Sequence, residues 1–516
     1  MAFARVYSAQ TELLQGQIVT VEVDTSKGLN NFAIVGLGDR SVEEARDRVS
    51  SALKNACFES PKTKNQKTVV SLSPADHKKE GAHFDLSIAI GFLVTEGIIT
   101  TDLSTSLFLG ELGLDGSVRP VRGALPIAIH AAQLEFQSLF VPTENAEEVS
   151  MVASISIYPV ATLRQLVSHF RNDIDFEHCE DTKIKRIHAR QLSPDRENSQ
   201  LSFDEIVGQE SAKRGLHIAA VGKHAVILHG PPGTGKTMLA RALAGILPPL
   251  SHDEALTVTQ IQSIASTSMK TKFITHPPFR APHHTSSYVS IIGGGPHLKP
   301  GEITLAHKGV LFLDEFPEID RRVIEGLRQP LEEHSVTISR QKGTAVFPAE
   351  FIFVGAMNPC PCGWKGSKIK TCTCTANDLQ KYKRKLSGPI LDRIDIALFV
   401  GHIEYDQLHN TPVRGESKLL CEQIKKARAR AYARARAHNM IEKENGILSG
   451  KEIMNIANLS DDSKQLLKES ADRLQLSIRA YHRVMRVART IADIDESELI
   501  LPKHILEAIS YRPHFD

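Results

Sequence analysis

A glycine-rich stretch that follows an apolar run constrains this chain more than any other feature. Residues 225–228 form the apolar run, and residues 229–237 then read His-Gly-Pro-Pro-Gly-Thr-Gly-Lys-Thr. A strand, a loop with the spacing GxxxxGK[ST] and a helix make a P-loop, whose backbone N–H groups and helix N-terminus surround a phosphate chain. The loop residues expected to bind ATP are Gly230, Pro231, Pro232, Gly233, Thr234, Gly235, Lys236 and Thr237.

Acidic residues that could complete this site follow a second apolar run, residues 309–313. Lys236 can reach the β- and γ-phosphates, and the Thr237 hydroxyl can hold Mg²⁺. Asp314 would join the Mg²⁺ shell, and Glu315 would activate the attacking water. The alternatives are a chance match of the loop and a solvated strand end. The flanking strand and helix patterns favour ATP hydrolysis over both.

Length and charge limit the other functions to consider. A chain of 516 residues suggests about two to four domains. Lys and Arg number 62 against 60 Asp and Glu, so any affinity for nucleic acid must come from local basic patches. The N-terminus lacks the apolar core of a signal peptide, and the most apolar window, residues 86–99, is too short to span a bilayer. We therefore expect a cytoplasmic protein without a membrane segment.

Changes of pattern along the chain predict an α/β protein with a helical end. Alternating β-rich and helical runs open the chain, among them a helix over residues 41–56 with Ser41 as its cap. Three later apolar runs, residues 309–313, 351–356 and 396–400, fit strands of a buried parallel sheet. The predicted domains are an N-terminal domain (1–170), a polar linker (171–200), a nucleotide-binding domain (201–401) and a helical lid (402–516).

Two further residues are placed where a hydrolase of this type needs them. Asn358 ends the strand that begins at residue 351, and could orient the attacking water from the neighbouring position. Arg393 can point out of its domain towards the γ-phosphate of another subunit, a contribution of ~10³ to 10⁵ in rate. A surface ion pair of Arg393 with Asp392 or Asp395 is the alternative.

The order of these motifs resembles that of AAA+ ATPases, and most closely the magnesium-chelatase-like group. The motifs are residues 203–209, the P-loop, Asp314 and Glu315, Asn358, Arg393 and residues 477–481. Residues 279–285, 300–307 and 358–363 narrow the resemblance to the YifB/ComM family, and the match runs over essentially the whole chain. By that resemblance Asn358 is sensor 1, Arg393 the arginine finger, and Arg479 the sensor 2 arginine reaching from the lid to bound nucleotide.

The N-terminal domain resembles the proteolytic domain of Lon, which has the ribosomal S5 domain 2-like fold. His83 stands where Lon-type domains carry the nucleophilic serine, and Leu125 stands where they carry the catalytic lysine. A Ser-Lys dyad needs both groups within hydrogen-bond reach. The resemblance therefore implies a Lon-like fold without peptidase activity, used for assembly or for binding a partner or DNA.

Four of the seven cysteines lie close together, as Cys360-x-Cys362 and Cys372-x-Cys374. Four thiolates can satisfy tetrahedral Zn²⁺ in a closed structural site. Reduced thiols without a ligand in a surface loop are the alternative. A structural Zn²⁺ would brace the loop that follows sensor 1.

Two basic stretches are candidates for contact with DNA. Residues 335–347 predict a hairpin with Arg340 and Lys342 at its tip, which resembles the pre-sensor 1 hairpin of helicase-type AAA+ proteins and could line a pore or face solvent. A predicted helix over residues 418–439 could bind phosphates or be merely solvated. Its cations are Lys425, Lys426, Arg428, Arg430, Arg434 and Arg436.

The family resemblance implies an ATP- and Mg²⁺-dependent homo-hexamer that translocates on single-stranded and branched DNA. It further implies branch migration during natural transformation, with a recombinase or other recombination proteins as further partners. ATP hydrolysis rests on residues, whereas branch migration rests on the resemblance. Two alternatives stay open: a magnesium chelatase-type ATPase subunit, and an AAA+ regulator that remodels proteins.

Overall fold

The structure of the chain is a computed structural model that divides into two compact units. Met1–Pro194 with Leu256–Ile274 form the first unit, and Asp195–Ala255 with Thr275–Asp516 form the second. Most of the predicted linker, residues 172–183 and 188–200, lies outside the described residues. Every helix in the described part is too short or too polar to cross a membrane. The described residues are 2–36, 38–63, 65–74, 79, 81–171, 184–187, 201–265, 272–295, 298–340, 343–366, 369–385, 388–403 and 415–512.

The first unit contains a seven-stranded mixed sheet. The strands of this unit are β1 Ala2–Glu12, β2 Gln15–Lys27, β3 Asn31–Val35, β4 Gln66–Ser73, β5 Ser106–Phe108, β6 Glu111–Leu112, β7 Val118–Arg119, β8 Ser138–Pro142 and β9 Ser156–Val160. The sheet order is β3-β4-β2-β1-β5-β8-β9, while β6 and β7 pair separately. Val19, Val21 and Val23 are fully buried, because alternate residues of a strand face the same side of the sheet.

Helices cover this sheet, and one of them corrects a predicted cap. The helices are Arg40–Asn55, Asp85–Thr95, Ala124–Gln133, Thr143–Val149 and Leu163–Phe170. Asp39 caps the first of them, since its carboxylate accepts from the Val42 N–H at 3.0 Å. The prediction that Ser41 is the cap was wrong, because Ser41 already lies inside the helix and a cap must precede the first helical residue.

A segment that the sequence pattern places in the nucleotide-binding domain belongs to the first unit. Leu256–Ile274 clusters there. Within the unit, the Ser263 hydroxyl donates to the Glu148 carboxylate at 2.6 Å, and Leu256 packs against the core beneath the helix Ala124–Gln133. The helix His252–Ala265 thus begins in the second unit and ends in the first.

A five-stranded parallel sheet is the centre of the second unit. The strands of this unit are β10 Val226–His229, β11 Phe279–Arg280, β12 Gly293–Gly294, β13 Lys299–Pro300, β14 Val310–Leu313, β15 Ser335–Arg340, β16 Gly343–Pro348, β17 Ile352–Met357 and β18 Ile396–Phe399. The sheet order is β11-β14-β17-β10-β18, and every pairing in it is parallel. The three predicted apolar strands are confirmed as β14, β17 and β18. Their carboxyl ends meet at one edge, together with that of β10.

Helices of the second unit share a core with this sheet. They are Glu210–Gly222, Lys236–Ile246, the start of His252–Ala265, Tyr288–Ile292, Glu302–Leu305, Arg321–Gly326, Arg328–Glu333, Ala376–Lys385, Gly388–Leu391, Glu416–Ala437, Gly450–Ile456, Asp461–Arg473, Ile478–Ile494 and Pro502–Ser510. The last five make up the predicted helical end. Val226 and Leu228 of β10 belong to the same buried cluster as Met485 and Ile491, so the lid helices and the P-loop strand are packed in one unit.

The cationic helix Glu416–Ala437 uses several of its arginines inside this unit. Arg428 donates to the carbonyl of Ala220 at 2.6 Å, and Arg434 makes two bonds to the Asp493 carboxylate at 2.6 and 2.7 Å. Neither predicted alternative, phosphate binding or solvation, describes these two arginines. Their charge holds the helix onto its neighbours.

Candidate functional site

The predicted ATP residues meet at the carboxyl edge of the parallel sheet. The Thr237 hydroxyl donates to Asp314 Oδ2 at 3.2 Å, and Lys236 Nζ donates to Asn358 Oδ1 at 3.3 Å. Lys236 and Thr237 open the helix after β10, Asp314 follows β14, and Asn358 follows β17. Residues from three separate parts of the sequence therefore form one cluster, because parallel strands end at the same edge.

The loop before the helix holds its lysine in place. Lys236 Nζ donates to the carbonyls of Gly230 and Pro231 at 2.8 and 2.7 Å. Burial lowers the pKa of the Lys236 ammonium, and the charge of Asp314 opposes that shift. Gly233 and Gly235 have φ of +76° and +87°, in the left-handed region that favours glycine. Two backbone carbonyls thus hold the ammonium against the loop.

Glu315, the expected base, has a partner that the sequence analysis did not identify. His284 Nδ1 lies 3.3 Å from Glu315 Oε2. Glu315 also has a φ of +48°, and its N–H donates to Asp314 Oδ1 at 2.9 Å. A non-glycine residue in this backbone region is uncommon and occurs often at functional sites. The one sequence signal for His284 was its place in residues 279–285, after a strand that ends at the same edge.

The two predicted arginines lie together, on a surface that we call the arginine face. Arg393 Nη2 lies 2.5 Å from Glu332 Oε1, and Arg479 Nη2 lies 3.9 Å from the same oxygen. All three residues line a cavity of about 780 Å³ within the second unit. The acids considered as surface partners of Arg393 have other partners, since Asp392 pairs with Arg483 and Asp395 pairs with Arg486, both at 3.7 Å. Glu332 was missed in the sequence analysis.

The four cysteines converge as a tetrahedral site requires. One ligand atom from each lies within 4.8 Å of all the others, and the sulfurs of Cys360, Cys362 and Cys372 are 3.4 to 3.7 Å apart. Four sulfurs at ~2.3 Å from Zn²⁺ would stand about 3.8 Å from one another. Backbone N–H groups of Trp364 and Thr373 lower the pKa of Cys362, whereas burial and hydrogen bonds to the neighbouring thiols raise the pKa of Cys372 and Cys374. The residues therefore fit a closed Zn²⁺ site.

The cysteine loop is in contact with the ATP site. Gly363, between Cys362 and Trp364, packs on the P-loop so closely that an added Cβ would lie 2.9 Å from Pro232 Cδ. Its φ of +83° also favours glycine. A metal in the cysteine cluster would brace the P-loop and the strand end at Asn358.

The DNA contacts predicted at the hairpin tip stay predictions. β15 and β16 pair antiparallel, with Arg340 opposite Gly343, so the hairpin itself is confirmed. The tip residues 341–342, which include Lys342, and the side chain of Arg340 lie outside the described residues.

The two positions compared with the Lon dyad differ in burial. Leu125 is fully buried in a hydrophobic core, whereas His83 is half-buried, and desolvation lowers its pKa to about 4. Neither residue type supplies a serine nucleophile or a lysine base. The absence of peptidase activity stays a prediction.

Family models match three parts of the chain. The model described as Magnesium chelatase, subunit ChlI, matches residues 202–408 and includes the ATP cluster and the cysteines. Subunit ChlI of Mg-chelatase matches residues 21–145, and Magnesium chelatase, subunit ChlI C-terminal, matches residues 415–512. The range 202–408 covers the P-loop sheet, 21–145 covers part of the first sheet, and 415–512 covers the lid helices.

Two relatives match nearly the whole chain, and a third matches a shorter stretch. Competence protein ComM of Haemophilus influenzae is 40% identical over 515 residues, 99% of this chain and 98% of that protein. Uncharacterized protein YifB of Escherichia coli is 40% identical over 497 residues, 96% of this chain and 94% of that protein. The magnesium-chelatase 67 kDa subunit of Chlorobaculum parvum is 27% identical over 163 residues, 31% and 23% of the two chains. The chain therefore belongs to the YifB/ComM family of magnesium-chelatase-like AAA+ proteins.

Proposed function

We propose that this protein is an ATP-driven DNA motor that forms a hexameric ring and drives branch migration. It would promote integration of incoming single-stranded DNA by homologous recombination in natural transformation. The observation that carries the proposal is the cluster of Lys236, Thr237, Asp314 and Asn358 at one sheet edge. The similarity to competence protein ComM supports the choice of DNA as the substrate.

Each residue of the cluster has a role in ATP hydrolysis. Thr237 and Asp314, whose oxygens lie 3.2 Å apart, would hold Mg²⁺, which prefers oxygen ligands. Lys236 would bind the phosphates in place of the loop carbonyls. Glu315 would take the proton of the attacking water and Asn358 would orient that water. When bound, Mg²⁺ neutralises charge on the phosphates.

The arginine face would complete the site of a neighbouring subunit. Arg393 and Arg479 converge on one carboxylate, Glu332, so an anionic γ-phosphate could take the place of that carboxylate. An arginine supplied in trans stabilises charge in the transition state. Because each triphosphate would then touch two subunits, hydrolysis at one junction depends on its neighbour, as a ring motor requires.

A strand-exchange assay tests the motor. Three- and four-stranded DNA junctions are incubated with the wild type, Lys236→Ala and Glu315→Gln, and Lys468→Ala, an exposed lysine of the helix Asp461–Arg473, serves as the control. We expect the wild type and the control to resolve junctions only with hydrolysable ATP, and both site variants to stall. Equal resolution by Lys236→Ala would reject an ATP-driven mechanism.

A magnesium chelatase-type ATPase subunit is the second candidate, favoured by the chelatase similarity over 163 residues. DNA separates the two functions. Single-stranded or branched DNA should stimulate ATP hydrolysis and ring assembly in a motor and should leave both unchanged in a chelatase subunit. ATPase rates with and without DNA, together with light scattering, would decide between the two functions.

We further propose that the four cysteines hold one structural Zn²⁺. Metal analysis of the purified protein should give about one zinc per chain, and Cys372→Ser should lose it. Cys421→Ser is the matched control, since Cys421 lies on the helix Glu416–Ala437, outside the cluster. Zinc retained by Cys372→Ser would contradict this site.

A further inference from the structure

The stretch from Cys360 to Lys385 carries an excess of positive charge that the ATP site does not use. Its described residues include six cations and one acid, whereas the whole chain has a net charge of only +2. Even Zn²⁺ with four thiolates, which together carry two negative charges, would leave this stretch positive. The cations are Lys365, Lys370, Lys381, Lys383, Arg384 and Lys385, and the acid is Asp378.

The charge faces solvent on the helix Ala376–Lys385. Lys381, Lys383 and Arg384 are exposed, and among the described residues neither Lys383 nor Arg384 forms an ion pair. The one acid, Asp378, is bound to the hydroxyl and N–H of Thr375 at 2.7 and 3.0 Å. Lys383 and Arg384 are therefore available to an external anion, unlike Lys385, which pairs with Glu318, and unlike Arg428 and Arg434.

An aromatic group lies beside one cation of the same stretch, Lys370. Trp364, the single tryptophan of the chain, has its ring nearly parallel to His402, with centroids 6.3 Å apart and planes at 12°. Lys370 Nζ lies 5.6 Å from the centre of the Trp364 ring. An aromatic face next to cations is the combination that binds single strands, because bases stack on the ring while the cations contact phosphates.

We infer that Trp364, Lys370 and the exposed face of the helix Ala376–Lys385 form a second contact for single-stranded DNA, besides the hairpin tip. The inference rests on the proposed DNA function and adds a site to it. Single-stranded DNA fits better than duplex, since only unpaired bases offer a free face to the indole.

This surface is also joined to the residues of hydrolysis. Tyr382, buried on the inner side of the helix Ala376–Lys385, donates its hydroxyl to the Asn358 carbonyl at 3.0 Å. Lys385 pairs at 2.6 Å with Glu318, three residues after Glu315. DNA bound here could shift the strand ends that carry Asn358 and Glu315, the expected water-orienting and proton-accepting residues. DNA could stimulate the ATPase by this route.

The test measures binding of fluorescein-labelled oligodeoxythymidylate to the full chain by anisotropy. Lys383→Glu/Arg384→Glu is compared with Lys451→Glu/Lys468→Glu, a control with the same change of net charge at exposed sites. We expect at least ~10-fold weaker binding for the first double variant. The slope of log affinity against log salt concentration should also fall by about 0.7 for each phosphate that the variant no longer neutralises. The control should bind within about two-fold of the wild type.

Tryptophan fluorescence gives an independent readout of stacking. Single-stranded DNA should quench Trp364 in the wild type, and duplex DNA of equal length should quench it less. Trp364→Ala should weaken anisotropy-measured binding about ten-fold, while Trp364→Phe, which keeps a ring, should bind nearly as the wild type does. A purely structural role of Trp364 would not make DNA binding depend on an aromatic ring at this position.

The outcomes separate this inference from the proposed function. If the wild type binds no DNA, the motor proposal fails and this surface fails with it. If the wild type binds single strands but Lys383→Glu/Arg384→Glu binds equally well and Trp364 is not quenched, this inference alone is wrong. Stronger binding of duplex than of single strands would also overturn it.

Discussion

Two clusters of arginines in the second unit differ in the solvent exposure of the carboxylate that the arginines share. Arg434 and Arg489 surround Asp493, whose side chain is 1% exposed. On the arginine face, Arg393 and Arg479 share Glu332, which is 48% exposed. Removing one partner of a buried pair leaves an uncompensated charge, whereas a pair open to water contributes little. Burial thus separates a carboxylate that is closed to solvent, Asp493, from one that faces water, Glu332.

The largest expected effect is on catalysis, from Arg393→Ala. We expect ATP hydrolysis by the assembled protein to fall by ~10³ to 10⁵, as for other arginines supplied in trans, because the γ-phosphate of the neighbouring subunit loses its cation. Steady-state ATPase assays measure this loss. Arg322→Ala, which removes an exposed arginine paired with Asp320 at 2.7 Å, is the control and should hydrolyse ATP normally. If Arg393→Ala turned over ATP at the wild-type rate, the arginine face would have no catalytic role to distinguish it from the buried cluster.

The buried cluster should show the opposite behaviour. Arg434→Ala leaves the carboxylate of Asp493 without the two bonds at 2.6 and 2.7 Å. Since Arg489 still pairs with Asp493, we expect the free energy of unfolding of this unit to fall by about 1.5–3 kcal/mol, the range for hydrogen bonds to a charged group, measured by denaturant titration, while ATPase activity per folded molecule is retained. Arg436→Ala changes an arginine that is 65% exposed on the same helix and should cost less than about 0.5 kcal/mol. Equal losses of unfolding free energy in the two variants would show that burial of Asp493 does not determine how much Arg434 stabilises the unit.

Sequence reasoning succeeded where function depends on local spacing. The P-loop glycines, Lys236 and Asp314 follow strands that an apolar run reveals, so their meeting at one edge could be predicted. The last two helices, Ile478–Ile494 and Pro502–Ser510, lie within the helical lid predicted over residues 402–516. Ser477 caps the first, and a proline opens the second.

Contacts between distant residues could not be predicted in the same way. Glu332 and Arg393 are 61 positions apart and His284 and Glu315 are 31 apart, with no pattern that links them. The helix Glu416–Ala437 shows the same limit, since its sequence reveals its charge but not the buried Asp493 that accepts from Arg434. The partner of a charge is decided by tertiary packing, and one sequence carries no separate signal for it.

A smaller effect is expected from the second arginine of the arginine face. Arg479 is 64% exposed and 3.9 Å from Glu332, so it is less constrained than Arg393. We expect Arg479→Ala to lower ATPase turnover by about ten- to hundred-fold, at or below the range for loss of one preorganised donor. Mixing Arg479→Ala with Lys236→Ala subunits tests its direction. Rescue of turnover in mixed rings would place Arg479, like Arg393, across the junction, because such rings contain junctions that join an intact Lys236 to an intact Arg479. No rescue beyond single-variant rings would place Arg479 in its own subunit's site.

The smallest effect should come from the carboxylate between the two arginines. If Glu332 merely occupies the arginines until a neighbouring phosphate arrives, Glu332→Gln removes a competitor. A half-exposed ion pair is worth about 0.2–1 kcal/mol, so turnover should stay at the wild-type rate or rise by no more than about five-fold. If assembly limits turnover, Glu332→Gln should reach full turnover at a lower protein concentration than the wild type. Glu325→Gln, which breaks the neighbouring pair with Arg328 at 2.7 Å, should leave the dependence of turnover on protein concentration unchanged. If Glu332→Gln loses as much turnover as Arg393→Ala, Glu332 instead positions Arg393. A water-exposed carboxylate would then orient its arginine as the buried Asp493 does.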